Sequence, residues 1–263
     1  MERIELAEHD VVGVRADNPG PLTLSGTNSW IVGSHPAWLI DPGPALPEHV
    51  GALIAELERR GGLAGIALTH DHGDHSEAVR PVRERFPDAP LAAARGEVDV
   101  CLGDGGRFGV FEALALPGHS SDHLVYLSGC VGFSGDAVLG EGSVFVAPDP
   151  GALAGYLKGL RRLRARGPEL LCPGHGPLID DPGSKLDQYL AHRLDRERRL
   201  VGALDDGART VDEMLDAAWS EVDPGLRPVA AVTLAAHLDK LADEGRLPAG
   251  IERPDPDRLL RLT

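Results

Sequence analysis

The sequence predicts a layered α/β domain, with two sheets inside and helices outside, followed by a small helical module. Three observations carry this expectation. Short apolar runs bounded by turn residues alternate with amphipathic stretches up to Leu204. The alternation falls into two similar halves, each closing on a histidine-bearing loop. Beyond Asp205-Asp206-Gly207 the texture changes to two helices and a candidate ribbon within about 55 residues, a pattern of winged-helix type. The expected division is therefore a domain over residues 1–204 and a module over residues 205–263.

The elements follow in order. Val11–Val14, Ser29–Val32 and Ala37–Ile40 read as strands. Pro47 opens an amphipathic helix carrying Val50, Leu53, Ile54 and Leu57 on one face, and Gly61-Gly62 ends it. Gly65–Leu68 is a buried strand that runs straight into Thr69-His70, and a helix is expected over Ser76–Arg85. Strands resume at Leu91–Ala93, Phe108–Leu116, His123–Leu127 and Val131–Phe133, and Leu153–Arg166 reads as a helix. Glu169–Cys172 is a last strand, and a long helix covers Ser184–Leu204. In the module, Thr210-Val-Asp-Glu213 is a capping box ahead of Met214, Leu215 and Trp219. Pro228 opens a second helix with Val229, Val232, Leu234, Ala235, Leu238 and Leu241 in helical spacing, stopped by Gly245. Arg246-Leu247 and Leu259–Leu262 are the candidate ribbon. The Gly103-Asp-Gly-Gly106 run lacks the lysine of a phosphate loop and reads as a turn.

Charge and cysteine content exclude some classes of function. The net charge of −15 works against non-specific attachment to nucleic acid or anionic membrane. No apolar run approaches the roughly 18 residues of a spanning helix. Three cysteines, odd in number and without a CxxC, speak against a disulfide framework and for a cytoplasmic setting, with Cys101, Cys130 and Cys172 as small buried hydrophobes.

The chemistry concentrates in Thr69-His70-Asp71-His72-Gly73-Asp74-His75. Imidazole and carboxylate are the ligands zinc takes at about 2 Å. Four candidate ligands in six residues exceed what one tetrahedral ion accepts while keeping a place for water, so two ions are expected. Pro117-Gly118-His119, Ser134-Gly135-Asp136 and Pro173-Gly174-His175 each set one further ligand type at a strand end.

This order of motifs resembles the metallo-β-lactamase superfamily, whose fold is a four-layer αββα sandwich. The resemblance implies that His70, His72 and His119 hold one zinc, that Asp74, His75 and His175 hold the other, and that Asp136 bridges both. It also implies that Asp41 orients a ligand histidine. Iron or manganese would accept the same donors. Two such ions lower the pKa of bound water to about 7 and present hydroxide to an ester-like carbon or phosphorus. Asp74 and Asp136 are then candidate catalytic residues at the metals, and His123, four residues past a ligand, is a candidate proton donor. Zinc β-lactamases carry Cys or Ser where Asp136 stands, so the resemblance disfavours a β-lactam substrate.

The closest resemblance is to the beta-lactamase-like endoribonuclease group. It rests on Gly-Thr-Asn28, Pro-Gly-His-Ser-Ser-Asp-His123, Ser-Gly-Asp-Ala-Val-Leu-Gly-Glu-Gly142, Gln-Tyr-Leu-Ala-His-Arg193 and the winged-helix tail. Polyketide-pathway thioesterases look similar over the same span. The first expected substrate is accordingly single-stranded RNA, with a thioester or other small ester as the alternative. Lys158–Arg199, with ten Lys/Arg against six Asp/Glu, is where RNA would bind, while His192 and Arg193 read as helix-packing or solvated positions. A DNA-reading regulator is disfavoured, because the second module helix offers only Lys240 and His237 as cations. The module is expected to serve packing or homodimerisation.

Overall fold

A computed structural model describes residues 2–255. The first half runs β1 (Glu2–Leu6), β2 (Val11–Arg15), β3 (Asn28–Val32), β4 (Ala37–Ile40), α1 (Pro47–Arg59), β5 (Leu63–Ala67), α2 (Gly73–Ser76), α3 (Val79–Arg85), β6 (Leu91–Ala93) and β7 (Val100–Cys101). The second half runs β8 (Arg107–Phe108), β9 (Phe111–Ala115), β10 (Leu124–Ser128), β11 (Val131–Gly135), α4 (Ala152–Arg166), β12 (Leu170–Pro173) and α5 (Pro182–Asp205). The tail holds α6 (Val211–Ala218), a 3-10 turn over Pro224–Leu226, and α7 (Arg227–Asp243).

Among the described residues, β1 to β7 form one sheet in chain order, and the other is ordered β12-β11-β10-β9-β8. Strands buried on both faces explain the apolar runs. In β2 to β4, Val12, Ile31 and Leu39 face α1 and α3, beside Leu53, Leu57 and Val82. Val11, Trp30 and Ile40 face the second sheet, meeting Phe111, Tyr126 and Phe133. On the far side of the second sheet, Leu114, Val125 and Leu171 pack against Tyr156, Leu160 and Leu186 of α4 and α5. The result is helix, sheet, sheet, helix, as predicted. Each fully buried Leu, Ile or Phe contributes roughly 1.5–3 kcal/mol.

The tail closes its own core. Leu200 and Leu204, at the end of α5, pack with Met214, Leu215, Trp219, Leu234, Leu238 and Leu241. The capping box at Thr210 and Glu213 is formed. Because α5 also carries Leu186 and Tyr189 into the body, one 24-residue helix joins the two cores. Ala236 of α7 joins the body core, and the Val146 N–H donates to Thr233 Oγ1 at 3.2 Å. Among the described residues no helix is long and apolar enough to cross a membrane.

Several expectations need correction. The helix expected over Ser76–Arg85 is two pieces, because the Ala78 N–H donates to Gly43 O and Pro81 has no N–H to give Glu77. The strand expected over Phe108–Leu116 is a hairpin, turning at Gly109, whose φ is +56°. Arg246-Leu247 forms no strand, and Leu259–Leu262 lies outside the described residues. Of the cysteines only Cys172 is buried; Cys101 is exposed because β7 is an edge strand. The edge strand β1 was not anticipated, since its side chains are half-buried at most.

Candidate metal centre

The loops that follow β5, β9, β11 and β12 converge at one end of the sheets and carry the seven predicted side chains. The ligand atoms of His70, His72 and His119 lie within 4.8 Å of one another, as do those of Asp74, His75 and His175, and those of His70, His75 and Asp136. His72 Nδ1 is 3.0 Å from His70 Nε2 and 2.9 Å from His119 Nε2. Asp136 Oδ2 is 3.5 Å from His119 Nε2 and 3.4 Å from His175 Nε2, while its Oδ1 is 3.4 Å from His75 Nε2. Asp74 Oδ2 is 3.3 Å from His175 Nε2 and 3.7 Å from His75 Nε2. Asp136 therefore stands between the two groups.

The donor set fits metal ions on two counts. Two ligands at about 2.0–2.1 Å from a tetrahedral ion lie about 3.3 Å apart, which matches these spacings. His75 Nε2 and Asp136 Oδ1 are buried without a hydrogen-bond partner, a costly arrangement unless a cation completes it.

A hydrogen-bond chain fixes which imidazole nitrogen faces inward. Asp41, with φ +49°, accepts from the Thr69 N–H at 2.7 Å and from Thr69 Oγ1 at 2.7 Å. A carboxylate only accepts, so His75 donates from Nδ1 to Asp41 Oδ2 at 2.9 Å, which leaves Nε2 as the nitrogen facing the cluster. Having spent its proton on Asp41, the Thr69 hydroxyl accepts from His70 Nδ1 at 3.0 Å, which frees His70 Nε2. His175 donates from Nδ1 to Gly26 O at 3.3 Å, with the same effect. The placement matches the orienting role that the resemblance implied for Asp41.

Burial and charge then divide the histidines. Burial pushes His119 down to about 4 and, with His75 beside it, His70 well below the usual range. Burial opposes a proton on His75 and His175 as well, but the neighbouring carboxylates together overcome it, Asp136 and Asp41 at His75, Asp136 and Asp74 at His175. His75 is held well above its usual value and His175 at about 9. For Asp136, burial is overcome by His175 and His75, which keep it ionised.

His123 does not sit where a proton donor would. Its Nε2 accepts from the Asp136 N–H at 3.0 Å, and its ring stacks on His70 at 4.9 Å, inside the protein. The geometry makes it a support for the Asp136 loop. His192 is half-buried and Arg193 buried, so the packing reading holds for Arg193.

The motif stretch Gly-Thr-Asn28 and the glycine before His175 now gain their contacts. Thr27 Oγ1 donates to Asp74 Oδ2 at 3.4 Å. Asn28 Nδ2 donates to Pro173 O and Gly176 O, and Trp30 Nε1 also donates to Pro173 O, clamping the His175 loop. Gly174 must be glycine, because a Cβ there would lie 2.5 Å from Asp136 Oδ1.

Above the cluster lies a cavity of about 340 Å³. His72, Asp74, His119, Asp136 and His175 form its floor, and Leu22, Leu24, Leu139, Val144, Phe145 and Leu226 its walls. Among the described residues its only other charged wall residue is Glu141, and no lysine or arginine lines it. Leu22 and Leu226 are 42% and 37% exposed, so the mouth is greasy.

A four-layer sandwich with a histidine–aspartate cluster at its loop end defines a metal-dependent hydrolase class, and comparison with known proteins agrees. The profile of the Metallo-beta-lactamase superfamily matches residues 78–175, and that of the Beta-lactamase associated winged helix domain matches residues 210–248. The chain belongs to the metallo-β-lactamase superfamily and carries its associated winged helix. Among its relatives is the atrochrysone carboxyl ACP thioesterase of Aspergillus novofumigatus, 32% identical over 93% of this chain and 82% of the relative. Another is a beta-lactamase-like protein 2 homolog of Caenorhabditis elegans, 30% identical over 93% of this chain and 88% of that protein. A crystal structure of a beta-lactamase domain protein from Burkholderia ambifaria superposes with a TM-score of 0.77 at 20% identity, covering 95% of this chain and 92% of that one.

Proposed function

We propose that this chain is a dinuclear metal-dependent thioesterase, with His70, His72 and His119 holding one ion, Asp74, His75 and His175 the other, and Asp136 both. The observation that carries the thioester reading is the cavity: apolar walls and no cation stand over the acid–histidine floor. A carrier-bound acyl group fits such walls, and a relative bears the name of an acyl-carrier thioesterase. Bound zinc, iron or manganese would supply Lewis acidity and a lowered pKa for water. The remaining roles belong to the protein. Asp74, held ionised by His175 and His75 against the effect of burial, faces the cavity as a proton acceptor for attacking water. Leu22 and Leu226 shield the acyl group from solvent. Water oxygen bonds to the carbonyl carbon, the C–S bond breaks, and the thiol leaves with a proton.

RNA finds less support. Much of the basic stretch is neutralised by ion pairs: Arg162 with Asp104, Arg164 with Asp187 and Arg166 with Glu112 between elements, and Arg199 with Asp195 along α5. Arg193 and Arg196 are buried. A ribonuclease loses affinity with salt at a slope near −0.7 per phosphate contact. The expected result is thioester turnover that scarcely changes between low and high salt and stops with a chelator. Salt-sensitive RNA cleavage by the metal-loaded protein, with thioesters left intact, would overturn the reading.

Two further outcomes follow. Asp41→Asn should weaken metal affinity or activity about 10–100-fold, because the amide cannot hold both Thr69 and His75 as the carboxylate does. Competition with a coloured chelator measures it, and unchanged affinity would remove Asp41 from the orienting role. Metal uptake at pH 7 should also release protons, since His175 is held at about 9 without metal, His75 is raised in the same direction, and both must be neutral to ligate. An indicator dye in weak buffer reads this, and zinc uptake without acidification would contradict it.

A further inference from the structure

A second cavity, of about 260 Å³, lies in the seam between the body and the tail. It shares Leu22, Val144, Phe145 and Leu226 with the cavity over the metal cluster, so the two adjoin. Phe145 stands at the junction, its ring 4.6 Å from that of His119. Beyond it the tail supplies apolar walls from Trp219, Val222, Val229 and Ala230.

The far wall is polar and unusual. Arg196 is neutralised by Glu221 and bonded to Ala218 O. Arg193, only 2% exposed, donates to Ser143 Oγ at 3.1 Å and to Val144 O, and lies over the Tyr156 ring at 5.7 Å. No carboxylate pairs with it among the described residues, and its Nε has no hydrogen-bond partner. A buried guanidinium without a counter-charge is costly and prefers an oxygen acceptor. An apolar chamber that adjoins the reaction centre and ends on such a group matches one ligand chemistry.

We propose that the seam cavity is the distal acyl subsite of this enzyme, and that its substrates are thioesters of bulky, apolar acyl groups. Such an acyl group carries an oxygen substituent at the end remote from the thioester. Phe145 and the tail face around Val229 set the size of the acyl group, and Arg193 receives the distal oxygen. The winged helix is thereby a specificity wall. This deepens the thioesterase reading and rests on it for the identity of the reacting bond.

The test uses the full metal-loaded chain with acetyl, 2-naphthoyl and 6-hydroxy-2-naphthoyl thioesters of N-acetylcysteamine, together with calorimetric binding of 6-hydroxy-2-naphthoate. Val229→Trp fills the seam and should lower the naphthoyl-to-acetyl ratio of kcat/KM at least tenfold, with a matching loss of naphthoate affinity. Should that variant fail to fold, Val222→Trp places a block on the seam wall, away from the cavity over the metal cluster. Arg193→Met should erase the preference for the 6-hydroxy over the plain naphthoyl group, a ratio that general loss of folded protein would not move. If these ratios and the naphthoate affinity stay as in the parent, the subsite assignment is wrong even though thioesters are hydrolysed. If no thioester is turned over but naphthoate binds and Val229→Trp weakens it tenfold, the subsite stands and the thioesterase reading falls.

Discussion

Replacing Asp136 by alanine is expected to lower turnover at least about 10²-fold and to leave the protein with fewer bound metal ions. The side chain is almost wholly buried and sits within 3.5 Å of nitrogens on His75, His119 and His175. Among the described residues no other carboxylate stands between the two groups, so without its charge two bound cations would repel each other. The sheets should survive, because the residue packs against no core cluster and the loop remains tied through its N–H to His123. Elemental analysis beside circular dichroism separates loss of metal from loss of fold. A variant that retains full metal content and turnover would remove Asp136 from the bridging position.

Leu238→Ala should cost about 2–5 kcal/mol, because the side chain is fully buried in the tail core and leaves a cavity. For a chain of this size that is roughly a 4–20 °C fall in Tm. The loss should appear as a shift of one transition, not as a separate tail unfolding. Helix α5 carries Leu186 in one core and Leu200 in the other, and Ala236 of α7 lies in the body core. We place the working boundary of the tail near residue 204, while its core reaches back into α5. Scanning calorimetry that resolves two transitions, with the body transition unmoved, would show that the tail is an independent unit.

Much of this was legible in the sequence for local reasons. His70, His72, Asp74 and His75 lie within six residues, and His119, Asp136 and His175 each follow a strand beside a glycine, so spacing alone brought them forward. Doubly buried strands such as Leu124–Ser128 announce themselves as apolar runs. What stayed hidden depends on partners distant in the chain. The clamp from Asn28 to Pro173 and Gly176 spans more than half the protein. The break before α3 depends on a bond from Ala78 to Gly43. The basic stretch looked available for phosphate because counting charges cannot see Arg162 meet Asp104 or Arg166 meet Glu112. His123 looked catalytic by residue type, and only the Asp136 N–H bonded to its Nε2 reveals a supporting role. Arg193 read as an ordinary helix position, and its missing counter-ion emerges only from the packing around it.

The proposed mechanism requires two ions among these seven side chains. The most direct measurement is the number of metal ions per chain, by elemental analysis, after purification without chelator and reconstitution with zinc or iron. About two ions per chain are predicted, falling on Asp136→Ala. One ion or none in the parent protein would contradict the dinuclear assignment and the mechanism built on it.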